Sequence, residues 1–186
     1  MKLKLFIGTI LLAMCSVSNA ATIGCGSGRT AELGDASSCT ASDGGNAHGS
    51  DLTAAFTGTW SNVGSETSTG NSGSFFDVTL SSGSWGSSPA AGTWTISSGF
   101  WDVYDSAVIS MHVGGGNRDA TDQWLWEVDT NETSGTWAYL TNTVGAGGLS
   151  NLHLWGTGGS AQVPEPGSIA LLVLGLFGLG LARKLA

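Results

Sequence analysis

Between residues 21 and 162 this chain has no lysine at all. Arg29 and Arg118 are the only basic side chains there, and two against thirteen Asp and Glu leave a formal charge of −11. So acidic a body repels polyanions, which excludes nucleic acid as a partner and makes an anionic lipid surface an unsuitable one. Solubility in a crowded compartment is the plain consequence of that charge. Catalytic constellations are missing too. Three histidines are present, His48, His112 and His153, with neither a Gly-x-Ser-x-Gly elbow nor a metal-binding His pair around them. Carboxylate pairs could be drawn from Asp102, Asp105, Glu127 or Asp129, but with thirteen acids one can always be drawn, so the pairing carries no weight. The expectation is a protein that is not an enzyme.

Cysteine is scarce. Cys15 lies in the apolar leader, where Met14 occupies the position that a lipobox would fill with a smaller residue. Cys25 and Cys39 remain, and an even pair would read, in a chain that the ends described next send out of the cell, as one disulfide closing a 15-residue segment. A metal site would need two further ligands, and His48 is the one plausible addition nearby.

The leader itself has Lys2 and Lys4 ahead of an apolar run over residues 5–14, then Ser18, Asn19 and Ala20 at the positions that a signal peptidase reads. Cleavage is expected between Ala20 and Ala21. The other end has three parts: Val163-Pro164-Glu165-Pro166, an apolar run over residues 169–182, then Arg183-Lys184. About 14 apolar residues fall short of the roughly 20 that cross a hydrocarbon core as a helix. Snorkelling of the basic pair and local thinning of the bilayer can make up the difference. The positive-inside tendency places the basic pair in the cytoplasm and everything before Pro164 outside.

This order of motif, short helix and basic tail resembles the PEP-CTERM sorting signal of exported proteins from exopolysaccharide-producing Gram-negative bacteria. The resemblance assigns Pro164, Glu165 and Pro166 to the sorting motif. It assigns Ile169, Leu172, Leu176, Leu179 and Ala182 to the membrane helix, and Arg183 and Lys184 to a basic tail thinner than the family often has. It also implies an exosortase that removes the tail, after signal peptidase and the general secretion machinery have delivered the chain to the inner membrane. The body would stand in the periplasm before processing, and at the cell surface or in a biofilm matrix afterwards.

The body carries strand signals and, outside the two ends, no convincing helical period. Residues 52–60, 74–80 and 92–96 favour strands, residues 64–73 read as a polar spacer, and residues 99–104 suit a partner strand. Ala107, Ile109, Met111 and Val113 alternate with Val108, Ser110 and His112, while Trp124, Trp126 and Val128 alternate with Leu125, Glu127 and Asp129. Residues 136–140 and 149–155 complete the set. Short strands about ten residues apart predict an all-β fold, an antiparallel β-sandwich or jelly-roll-like body. The expected organisation is a signal peptide (1–20), a loop-rich, disulfide-pinned arm (21–50), the sandwich (51–162) and the sorting signal (163–186). From residue 92 to 156 the chain also resembles β-rich bodies found ahead of this signal, a likeness that supplies no reaction.

Gly-Thr-Trp occurs three times, ending at Trp60, Trp94 and Trp137, at intervals too unequal for a solenoid. Each is expected to plug the core at the start of a strand. Eight tryptophans can serve as core or as a sugar platform. Core is the weightier reading, with Trp85, Trp101 and Trp155 left as candidate glycan contacts. Asp119 and Asp122, after a glycine-rich turn, are weak calcium candidates that lack a recognised loop spacing; no other cofactor is expected. The function expected is that of an exported envelope or matrix protein with a structural or adhesive body. The alternative is a carbohydrate-binding module acting on exopolysaccharide.

Overall fold

The computed structural model describes residues 22–115, 120–141 and 145–159; the expected signal peptide and the whole sorting signal lie outside them. Eleven strands run through the described residues. They are β1 (Thr22–Cys25), β2 (Ala31–Gly34), β3 (Ala36–Ser42), β4 (Ser61–Thr67), β5 (Gly70–Ser72) and β6 (Phe76–Ser82), followed by β7 (Ala90–Ile96), β8 (Ser106–Gly114), β9 (Gln123–Val128), β10 (Ser134–Tyr139) and β11 (Gly148–Thr157). One short helix, α1 (Gly49–Ala55), and one 3-10 turn, Ser98–Phe100, interrupt them.

Every pairing is antiparallel. The strands form a five-stranded sheet, β1-β2-β10-β7-β6, and a six-stranded sheet, β3-β9-β8-β11-β4-β5. The alternation legible in the sequence is what stacks them. Ala107, Ile109, Met111 and Val113 of β8, with Trp124, Trp126 and Val128 of β9, face Leu33, Trp94, Trp137 and Tyr139 of the smaller sheet. Two apolar faces closing on each other in this way make a sandwich core.

Four expectations are corrected. The loop-rich arm is instead β1, β2 and β3, built into the edges of both sheets. Its small residues suffice there because neighbours supply the bulk: Cys39 pairs with Trp126 and Ala41 with Trp124. Residues 52–60 are not a strand, since residues 49–55 form α1. Asp51 accepts the His48 N–H at 2.8 Å across the first turn, and Leu52 and Phe56, one turn apart, lie against the outer face of the larger sheet. The polar spacer is the hairpin β4–β5, held because β4 pairs along β11. Residues 99–104 turn instead of pairing, and β7 takes β6 and β10 as its neighbours.

Both open edges on the sides of the sandwich are covered by side chains. On one, the disulfide Cys25–Cys39 ties β1 to β3. There the indoles of Trp124 and Trp126 donate to the carbonyls of Cys25 and Ile23, each at 3.0 Å. On the other, Asn71 Nδ2 donates to the Phe76 carbonyl at 2.8 Å, and the Glu66 carboxylate lies near the Val78 N–H, which acts to lower its pKa. Asn71 thereby occupies an outward backbone group of β6 as a neighbouring strand would, with Glu66 beside it.

Both ends of the described chain emerge at the same end of the sandwich. Thr22 is paired with Gly34, beside Asp35, whose carbonyl accepts the Asp129 N–H at 3.2 Å. Ala107 pairs with Val128 on that level, and Ser106 with Thr157, the last residue of β11.

Candidate functional site

The histidines expected on strands come together on the outer face of the larger sheet. His112 on β8 is paired with Asn151 on β11, and Ser110 with His153. The two imidazoles are therefore diagonal neighbours across one strand pair. Burial pushes the His112 ring below its usual pKa; the nearby Asp122 carboxylate opposes that and Arg29 adds to it. Burial lowers His153 as well, with His112 contributing. Both rings are thus neutral at pH 7. Around them lie uncharged hydrogen-bonding groups. Asn62 Nδ2 lies 3.0 Å from His153 Nδ1, Asn151 donates to Asn46 at 2.8 Å, and Ser42 donates to Gln123 at 2.6 Å. Beside this strip Leu52 of α1, with Phe56 and Trp60 from the segment after it, roofs Val108, Leu125 and Trp155.

The three tryptophans singled out for sugar contact are placed differently from one another. Trp155 is only 6% exposed beneath α1, and its indole donates to Ser110 Oγ at 2.9 Å, so it has no ring face to offer a glycan. Trp101 is half-buried and donates to the Glu132 carbonyl at 2.9 Å. Trp85 is half-buried beside a surface hollow of about 320 Å³ that it lines with Ser68, Ser150 and the backbones of Gly86, Gly114 and Gly148. The Gly-Thr-Trp tryptophans are all buried, Trp94 and Trp137 in the main core and Trp60 under α1, ahead of its strand.

Of the calcium candidates, Asp119 lies outside the described residues. Asp122 is engaged locally, its Oδ1 accepting the Gly45 N–H at 3.0 Å. Among the described residues no group of three or more His, Cys, Asp or Glu could hold a metal ion. The carboxylates that do meet are others. Asp35 is raised in pKa by burial and by Asp129, and Glu66 by burial and by Asp77, with its bonds to Val78 and Asn71 acting the opposite way. Glu66 escaped sequence reasoning because it sits in a stretch of Ser, Thr, Gly and Asn that carries no apolar alternation. Its one signal was a lone acid in the middle of that stretch.

Arg29 is almost fully buried and joins three segments. It donates to the carbonyls of Thr121 at 3.4 Å, Gly115 at 3.1 Å and Gly145 at 3.4 Å. That is a structural post for the end of the sandwich away from the chain termini.

At the terminal end, Gly159 N–H donates to Asp105 Oδ2 at 2.9 Å, and the Asp105 N–H donates to the Thr157 carbonyl at 3.1 Å. Gly158 and Gly159 have φ of 77° and 81°, which fits them for the bend out of β11. Just beyond, residues 162–184 match the PEP-CTERM protein-sorting motif. The chain carries a PEP-CTERM sorting signal. That signal implies an exported protein, membrane-associated sorting and an exosortase as processing partner. Pro164, Glu165, Pro166, Ile169, Leu172, Leu176, Leu179, Ala182, Arg183 and Lys184 all fall within the match. They lie outside the described residues, as do Ala20 and Ala21 at the expected leader cleavage. Among the described residues no helix is long and apolar enough to cross a membrane. No curated protein and no solved structure matches the chain.

Proposed function

We propose that the chain is an envelope or extracellular-matrix protein whose body is a non-catalytic structural or adhesive sandwich. In this reading it is held in the inner membrane by its PEP-CTERM tail and then trimmed by an exosortase at Pro164-Glu165-Pro166. The observation that carries the reading is the sorting signal placed directly after the last strand of a folded domain. Two features of the body agree with an exported life: the Cys25–Cys39 disulfide suits an oxidising compartment, and the lysine-free acidic surface suits solubility outside the cell. Mass spectrometry of the mature protein from an exosortase-bearing host tests it. Both ends should be missing, and the tail should persist when the exosortase gene is deleted. A mature chain intact through Ala186 in the complete host refutes the reading.

The hollow beside Trp85 favours a second reading, a carbohydrate-binding module. A half-exposed indole, two serine hydroxyls and glycine backbones open to close approach are groups that hold a sugar ring. The acidic surface selects a neutral glycan over an anionic one. Retardation of the purified body in gels cast with the host's exopolysaccharide, lost on Trp85→Ala, supports this reading; equal mobility with and without polysaccharide removes it.

A further inference from the structure

The distance between the pinned end of the sandwich and the sorting motif limits where the processing enzyme can stand. Gly159 is hydrogen-bonded to Asp105 and packed against the Val103 carbonyl. From Gly159 to Pro164 there are five residue steps, which span about 18 Å at most even when fully extended. A domain of this size has a radius of gyration of roughly 14 Å, so the leash is shorter than the body is wide. Whatever cuts at Pro164-Glu165-Pro166 must work against the end of the sandwich from which the chain leaves.

That end carries a feature found at one other place. Among the described residues two large apolar side chains are exposed, Val103 at 48% and Leu140 at 44%. Leu140 follows β10, its N–H donating to the Thr30 carbonyl, at the opposite end of the sandwich. Val103 stands at the chain exit between exposed Asp102 and half-buried Tyr104, with exposed Asp105 next to them. We propose that Val103, flanked by Asp102 and Asp105, is the docking surface that the body presents to its exosortase. The surface it fits is the outward face of a membrane enzyme with a shallow apolar seat and basic side chains around it. Anionic headgroups are the poorer occupant, because the two carboxylates repel them. This inference rests on the exosortase reading given above.

The test follows the rate of tail removal in an exosortase-bearing host for the full chain, Val103→Lys and Leu140→Lys. All three are also made with fifteen Gly and Ser residues inserted after Gly159, and their folding is checked by thermal melting. Val103→Lys at native leash length should be trimmed about tenfold more slowly, the factor that corresponds to losing ~1.4 kcal/mol of contact. Leu140→Lys should match the parent, and the lengthened leash should shrink the Val103→Lys defect. A folded Val103→Lys chain trimmed at the parental rate overturns the proposal, as does an equal slowing by Leu140→Lys. If Val103→Lys leaves trimming unchanged but weakens flotation of the body with vesicles of mixed neutral and anionic lipid, the occupant is lipid and the proposal falls. A parent chain that is never trimmed refutes the exosortase reading itself, an outcome distinct from the others.

Discussion

Trp94 lies directly across from Gly135, and a side-chain carbon built on that glycine would come within 2.7 Å of the indole ring. The relationship is reciprocal. Trp137 lies across from Gly92, where such a carbon would come within 2.9 Å of its ring and 1.8 Å of the Thr79 carbonyl oxygen. Two of the Gly-Thr-Trp copies thus run antiparallel on adjacent strands about the pair Thr93–Thr136, each tryptophan covering the other's glycine. Gly92→Ala and Gly135→Ala should each lower stability by about 1–3 kcal/mol through overpacking against a rigid core. The exposed Thr93→Ala should stay within about 0.5 kcal/mol of the parent. Urea unfolding of the purified body measures all three.

The paired imidazoles make stability depend on pH in a defined direction. His112 and His153 are held below the usual value of 6.5 in the fold, so the unfolded chain binds protons that the folded chain refuses. Stability from the neutral rings is present above pH 6.5 and is lost as pH falls through and below that value. Glu66 has the opposite sign: its pKa is raised above 4.5, so its contribution is present below pH 4.5 and is lost as pH rises through the folded value. Between pH 8 and pH 6 the histidines govern. The urea midpoint should fall over that range, and the double variant His112→Asn, His153→Asn should show a flatter profile.

Reducing the Cys25–Cys39 disulfide removes a cross-link over a 14-residue separation. In the chain-entropy account that is worth about 3 kcal/mol. Because the bond ties the edge strands β1 and β3, the loss should appear first as faster amide exchange in residues 22–42. Hydrogen exchange on Cys25→Ser, Cys39→Ser checks this, with β8 expected to keep its protection relative to the lowered global stability.

Helix α1 depends on very few contacts. Leu52 is wholly buried against the outer face of the larger sheet. Leu52→Ala should cost about 2–5 kcal/mol and expose Trp60 and Trp155, which a red shift in tryptophan emission would report. Asp51→Ala removes the acceptor for the His48 N–H and should cost a smaller amount, about 0.5–2 kcal/mol.

How far the sequence could be read followed the bulk of its side chains. Strands β8, β9 and β11 were legible because large apolar residues alternate along them, and the fold class followed from their number and spacing. β3 and β4 were not, because Ala, Ser, Gly and Thr carry little alternation. They are strands because Trp124, Trp126 and the length of β11 give them partners, which no local pattern reveals. α1 was missed because seven residues present only Leu52 to the sheet, too little to register a 3.6-residue period. The sorting signal was the most legible site, since its three parts follow each other directly along the chain. The meeting of His112 with His153 was not legible, because it depends on a strand register with a bulge between Leu149 and Asn151.

The capped edge at β6 bears on how the protein behaves when concentrated. A terminal strand with free amides is a rail on which a second copy can grow, and more so the more concentrated the protein is. With the Phe76 carbonyl already taken by Asn71 and the Glu66 carboxylate near the Val78 N–H, that rail is obstructed at its centre. A second copy therefore cannot extend the sheet along this stretch of β6 without first displacing the Asn71 side chain.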